Sequence, residues 1–207
     1  APVDRLAQAA RECRERGEPA LALQHLEQAL ASAPLHVDAR RQRQDLLRER
    51  GRTGLLMREA QDAILARPED GHAHYLFGRL VPEPVTKLRA FTRAVELAPD
   101  SVWPWLGLGH SLLNVDPARS LSIYARLYTA TARHPIVSVA FAAALREENQ
   151  LDHAADLYEE LRLDPRVPGV ADLGLAQVNL ARGDRARAWS AAMGALRARP
   201  YDAGLQA

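Results

Sequence analysis

Three glycine-to-proline intervals of the same length constrain this chain more than any other feature. Gly17 to Pro34, Gly51 to Pro68 and Gly183 to Pro200 each span 17 residues, and Pro34 and Pro68 lie 34 residues apart. Glycine accepts the left-handed backbone that ends a helix, and proline can neither donate an amide hydrogen nor continue a helix. Each interval therefore reads as a turn, a helix and a stop, and with the helix before the glycine it makes a hairpin. Further boundaries at Pro99, Pro135 and Pro165 give six hairpins, over approximately 3–36, 37–70, 71–101, 102–134, 135–168 and 169–202. Residues 203–207 read as the start of another helix or a tail, and 1–207 as one repeat domain, all-α.

Composition narrows the functional classes. With 27 basic and 26 acidic residues the formal charge is +1, so no bulk field draws the chain to nucleic acid or acidic lipid. No apolar run approaches the ~20 residues of a membrane-spanning helix. Cys13, the single cysteine, excludes an internal disulfide and a multi-cysteine metal site. Lys87 is the only lysine among many arginines, which reads as the coding bias of a GC-rich, bacterial genome. No signal sequence is visible at Ala1 to Ala10, so the expectation favours cytoplasm over periplasm.

Trp105, Leu108, Gly109 and Leu112 form an aromatic, leucine, small and large-apolar series, and Leu173-Gly174-Leu175-Ala176 repeats the pattern of Leu106-Gly107-Leu108-Gly109. Ala22, Leu26 and Ala29, Phe91 and Ala94, Ala154 and Tyr158, and Ala188, Ala192 and Ala195 precede the later prolines of their units. In these residues the chain resembles the tetratricopeptide repeat family over nearly its whole length. The resemblance implies an α-solenoid of about six helix hairpins in a right-handed superhelix, with small residues such as Ala10, Gly78, Gly109, Ala142 and Ala176 letting helix axes approach. Gln44 in place of a small residue, Arg43 in place of leucine and Leu56 in place of alanine predict looser packing in the second hairpin. Pro82 and Pro84 predict an early stop to the first helix of the third, with a slight break in the superhelix.

The same resemblance implies that first helices line a concave groove that binds a partner protein or peptide. Helical periodicity places Trp103, Leu106, Gly107, His110 and Asn114 beside the packing stripe of one first helix. Tyr75 and Arg79 continue that surface on the preceding unit, and Val139, Ala143, Arg146, Leu173 and Gln177 on the following ones. Two readings stand for the aromatics, a hydrophobic peptide site or ordinary core, and two for Gly107 and Gly174, close approach of a ligand backbone or relief of crowding between helices. The lysines and asparagines with which this family grips a C-terminal carboxylate are absent, since Ala7, Arg11 and Gln42 stand at the corresponding positions.

The arginines of 40–52 read either as a phosphate-binding patch or as a solvated face, with Arg41, Asp45 and Glu49 spaced for ion pairs along one helix. The imidazoles of His72 and His74 point about 200° apart on a helix, the wrong geometry for one metal. Cys13 reads as a small buried hydrophobe, and no nucleophile, acid and base converge. These readings favour a noncatalytic scaffold without cofactor or metal. Two alternatives are a regulatory or targeting domain of a larger enzyme, and a self-associating subunit joined through Leu173, Leu175, Val178 and Leu180, that is, a homo-oligomer.

Overall fold

The computed structural model describes residues 2–167 and 169–198. Twelve helices occur among them and no strand: α1 (Pro2–Glu15), α2 (Pro19–Ser32), α3 (Val37–Glu49), α4 (Thr53–Ala66), α5 (Gly71–Gly78), α6 (Pro84–Leu97), α7 (Val102–Leu112), α8 (Pro117–Ala130), α9 (Pro135–Glu147), α10 (Leu151–Leu161), α11 (Val170–Ala181) and α12 (Arg185–Ala198). They pair into six hairpins. The backbone clusters into two compact units, Ala1–Pro99 and Asp100–Ala207, with three hairpins in each. The expected helix or tail at 203–207, and Pro200, lie outside the described residues.

The punctuation acts through local backbone chemistry. Gly17, Gly51 and Gly183 adopt φ of +74°, +72° and +79° at the turns of the first, second and sixth hairpins, where a side chain would be strained. Asn149 fills the equivalent place in the fifth hairpin at φ +58°. Proline starts helices as well as stopping them. Pro19, Pro84, Pro117 and Pro135 open α2, α6, α8 and α9, where a missing amide costs nothing. Side-chain caps complete several starts: Asp70 accepts from the His72 and Ala73 amides, Glu83 from Val85 and Thr86, and Asp116 from Arg119. As expected, the first helix of the third hairpin is cut short, ending at Gly78 ahead of Pro82.

Each unit is a short all-α solenoid. In the first, α1 touches α3 and α3 touches α5, while α2 and α4 each pack on the next first helix; α7, α9 and α11 with α8 and α10 repeat the scheme in the second. No helix buries its apolar stripe alone. Ala10, Cys13, Ala22, Leu26 and Leu46 form one core of the first unit, and Ala142, Ala154, Tyr158, Leu175 and Val178 belong to that of the second. Cys13 is 2% exposed, in line with its reading as a hydrophobe.

Close approach of the helices depends on a recurring pairing of a first-helix glycine with an aromatic ring. A Cβ on Gly78 would come within 2.9 Å of Phe91, one on Gly109 within 2.7 Å of Tyr124, and one on Gly174 within 2.3 Å of Tyr158. The glycines are sockets for rings. Tyr124 also donates to the Leu106 carbonyl at 3.3 Å, and the buried Ser120 hydroxyl donates to the Gly109 carbonyl at 2.8 Å, so the polar atoms of this contact are satisfied.

The second hairpin departs from that pattern, as Gln44 and Leu56 lead one to expect. Both side chains are buried, and α3 and α4 pack less closely than α1 and α2. Arg43 reaches across with a bidentate pair to Glu59 at 2.7 and 3.1 Å. Polar bonds replace apolar contact there.

Candidate functional site

Within the second unit, the first helices α7, α9 and α11 succeed one another in contact and carry most of the expected binding residues. Trp103 and Leu106 are half-buried on α7, His110 is exposed near its end, and Asn114 is exposed in the turn that follows. Val139, Ala143 and Arg146 are half-buried on α9, and Leu173 and Gln177 are exposed on α11. Arg146 donates to Gln177, which brings α9 and α11 side chains of this set together. Apolar surface at Trp103, Leu106, Val139, Ala143 and Leu173 is thus interleaved with polar groups at His110, Asn114, Arg146 and Gln177. Such a surface can bury hydrophobic side chains of a ligand while hydrogen-bonding its backbone.

Within this stripe Gly174 serves the packing of the fold. Gly174 holds the Tyr158 ring, whose hydroxyl pKa burial pushes up to about 12, and Gly107 is buried. The missing side chain of Gly174 relieves crowding between helices. Of the expected self-association residues, Leu175 and Val178 are core, while Leu173 and Leu180 are 37% and 60% exposed.

In the first unit Tyr75 and Arg79 are drawn inward. Tyr75 is 3% exposed, tilted against Phe91 with centroids 5.9 Å apart, and its burial raises the pKa of the phenol. Arg79 donates to the Arg41 carbonyl at 3.1 Å, to Gln44 Oε1 at 3.0 Å and to Asp45 Oδ1 at 2.7 Å. Burial lowers its pKa and Asp45 opposes that shift, as expected for a cation held inside by one carboxylate. Arg79 thereby fastens the end of α5 to α3, while Tyr75 packs against Phe91 of α6.

Much of the arginine-rich α3 is engaged in ion pairs within the helix and with neighbouring helices. Asp45 binds Arg79 and Arg48, Glu49 binds Arg14 of α1, and Arg41 pairs with Asp38 at 3.5 Å. Asp38 also accepts from Arg11 at 3.2 Å. The charges join neighbouring helices, because stacked first helices bring the guanidinium groups of Arg11, Arg14 and Arg79 to the α3 carboxylates. His74 Nε2 lies 2.8 Å from the Pro68 carbonyl, a local bond at the start of α5.

A feature absent from the sequence reading lies in the loosely packed second hairpin. A cavity of about 300 Å³ opens among α2, α3, α4 and α5, with Leu56, Ala60, Ala73 and Leu76 on its walls and Arg40, Arg43, Gln44 and Glu59 among its polar lining. The substitutions at 44 and 56 signalled the loosened contact, although not the space it leaves. A second unforeseen feature is Trp189 on α12, 70% exposed.

No protein-family model matches the sequence, and no curated protein matches it. Solved structures do. Over 95% of this chain and 38% of the other, it superposes with TM-score 0.75 and 18% identity on a structure described as the Cut9–Hcn1 hetero-tetramer of the APC/C. A tetratricopeptide repeat protein from Parabacteroides merdae gives 0.69 at 18% identity, covering 99% of this chain and 81% of that one. PilW, described as a type IV pilus biogenesis factor, gives 0.61 at 18% identity over 99% and 96%.

Proposed function

From the premise that this chain has the tetratricopeptide repeat fold, we propose that it is a noncatalytic scaffold binding a protein or peptide partner across the first helices of its second unit. The observation that carries this reading is the continuity of α7, α9 and α11, with half-exposed Trp103, Leu106, Val139 and Ala143 flanked by His110, Arg146 and Gln177. Large aromatic and arginine side chains in such a setting supply most of the energy of protein contacts. A face built on packed helices is formed before the partner arrives, so binding pays little ordering entropy on the scaffold side. The similar Cut9–Hcn1 structure is described as a hetero-tetramer, which supports an assembly role for the fold.

A photo-crosslinking amino acid placed separately at Leu106, Ala143 and Thr129 tests the face. Adducts with the same cellular partner from the first two positions, and none from the exposed second-helix position 129, are expected. Equal labelling from all three would overturn the proposal. A second reading, self-association, is favoured by Leu180 and Trp189, which are 60% and 70% exposed on the last hairpin. Sedimentation equilibrium should then show a dimer that Trp189→Ser dissociates, and a monomer at every concentration would dismiss it.

A further inference from the structure

The cavity of the second hairpin contains a charge that the fold leaves without a counterion. Arg40, on α3, is half-buried and forms no side-chain hydrogen bond or ion pair with any described residue. Its neighbours are already matched: Arg43 with Glu59 in a bidentate pair, and Arg67 with Asp70 at 3.8 Å. Burial lowers the Arg40 pKa, with Asp70 and Glu59 too weak an attraction to offset it. A guanidinium stays protonated at any ordinary pH, so this cation is partly stripped of water and waits for an anion.

We propose that this cavity is a binding site for a small monocarboxylate with an apolar body. The carboxylate meets the Arg40 guanidinium, and the hydrocarbon lies on Leu56, Ala60, Ala73 and Leu76. Three observations on the cavity select this ligand class. The unpaired charge is single, which suits a monoanion. The planar fork of arginine matches a carboxylate through two parallel hydrogen bonds. A volume of about 300 Å³, with Leu56, Ala60, Ala73 and Leu76 along one part of its wall and polar side chains along the rest, is at the small end of ligand pockets and suits a small ligand with one charged and one apolar end. Glu59 discourages a dianion from sitting deeper, although its pairing with Arg43 leaves Arg40 free to act.

None of the residues named for this cavity belongs to the proposed partner face, so the two sites are tested independently. The full chain, labelled at leucine and alanine methyls, is titrated with 4-methylpentanoate and with its uncharged analogue 4-methylpentanamide. Saturable shifts at Leu56, Ala60, Ala73 and Leu76 are expected, with the carboxylate bound at least about tenfold more tightly than the amide, as one charge-assisted hydrogen-bond pair warrants. Arg40→Gln should abolish that preference while the circular dichroism spectrum stays unchanged. Should the Gln variant unfold, Ala60→Leu fills the space and serves in its place, with the shifts then lost. Equal affinity for acid and amide, a preference that survives in Arg40→Gln, or the absence of shifts at millimolar ligand would each overturn the proposal.

Discussion

Replacing Gly174 with alanine should destabilise the protein, although alanine is the better helix former. A glycine in a helix interior is about 1 kcal/mol worse than alanine, so propensity alone predicts a gain. The structure reverses the sign. The new Cβ would stand 2.3 Å from the Tyr158 ring, against the ~3.5–4.0 Å of an ordinary carbon contact. The ring would have to retreat by about 1.3 Å, and with Tyr158 2% exposed among Leu157, Leu161 and Leu175 there is no free space to receive it. Overpacking of this kind costs about 1–3 kcal/mol, and so close a contact belongs at the upper end. Net of propensity, the loss should be about 2 kcal/mol, or roughly 4–8 °C in Tm for a chain of this size. Gly54, on α4, supplies the control, since a Cβ there meets nothing within 4 Å and Gly54→Ala should be neutral or stabilising by a few tenths of a kcal/mol. Urea unfolding followed by circular dichroism measures both variants, and Tyr158→Leu in the Gly174→Ala background should recover part of the loss. A Gly174→Ala protein as stable as the parent would refute the socket argument.

The interior ion pair and a helix cap give two more tests. Asp45→Asn leaves the Arg79 guanidinium, 15% exposed, without its carboxylate and should cost about 2–4 kcal/mol in urea unfolding; a cost under about 0.5 kcal/mol would show that Arg79 does not depend on it. Glu83 caps α6, and hydrogen bonds from Thr86 first, then Val85, hold its carboxyl below the usual carboxylate range. Because the folded-state pKa is the depressed one, its contribution is full above the unfolded pKa of about 4.3 and is lost as pH falls through the folded value. Comparing Glu83→Gln with the parent between neutral and acid pH should show a stability difference that shrinks as the solution is acidified, and a constant difference would refute the assignment.

The hairpin boundaries were legible because glycine and proline act on their own backbone, with no information needed from elsewhere in the chain. The α7 stripe was legible for a related reason: helical periodicity places Trp103, Leu106 and His110 beside Leu108 and Leu112 whatever the neighbours are. Contacts between hairpins were not. Arg79 meets Asp45 34 positions earlier, a pair that only the stacking of α5 on α3 brings together. Tyr75 looked like a surface aromatic because the Phe91 ring that covers it belongs to another helix. The cavity beside Arg40 depends on a mismatch of side-chain volumes among four helices, which no single periodic pattern encodes. Pro135 marked a boundary correctly and also opens α9, since proline serves either side of a helix break.

The partner face can be tested without knowledge of the natural partner. A peptide selected from a random displayed library for binding to the full chain is titrated calorimetrically against the parent, Trp103→Ala and Trp189→Ala. If the first helices of the second unit recognise ligands, Trp103→Ala should weaken binding by about 2 kcal/mol, roughly 30-fold, and Trp189→Ala should leave it unchanged. Undiminished affinity in a folded Trp103→Ala protein, with the loss appearing instead in Trp189→Ala, would contradict the account.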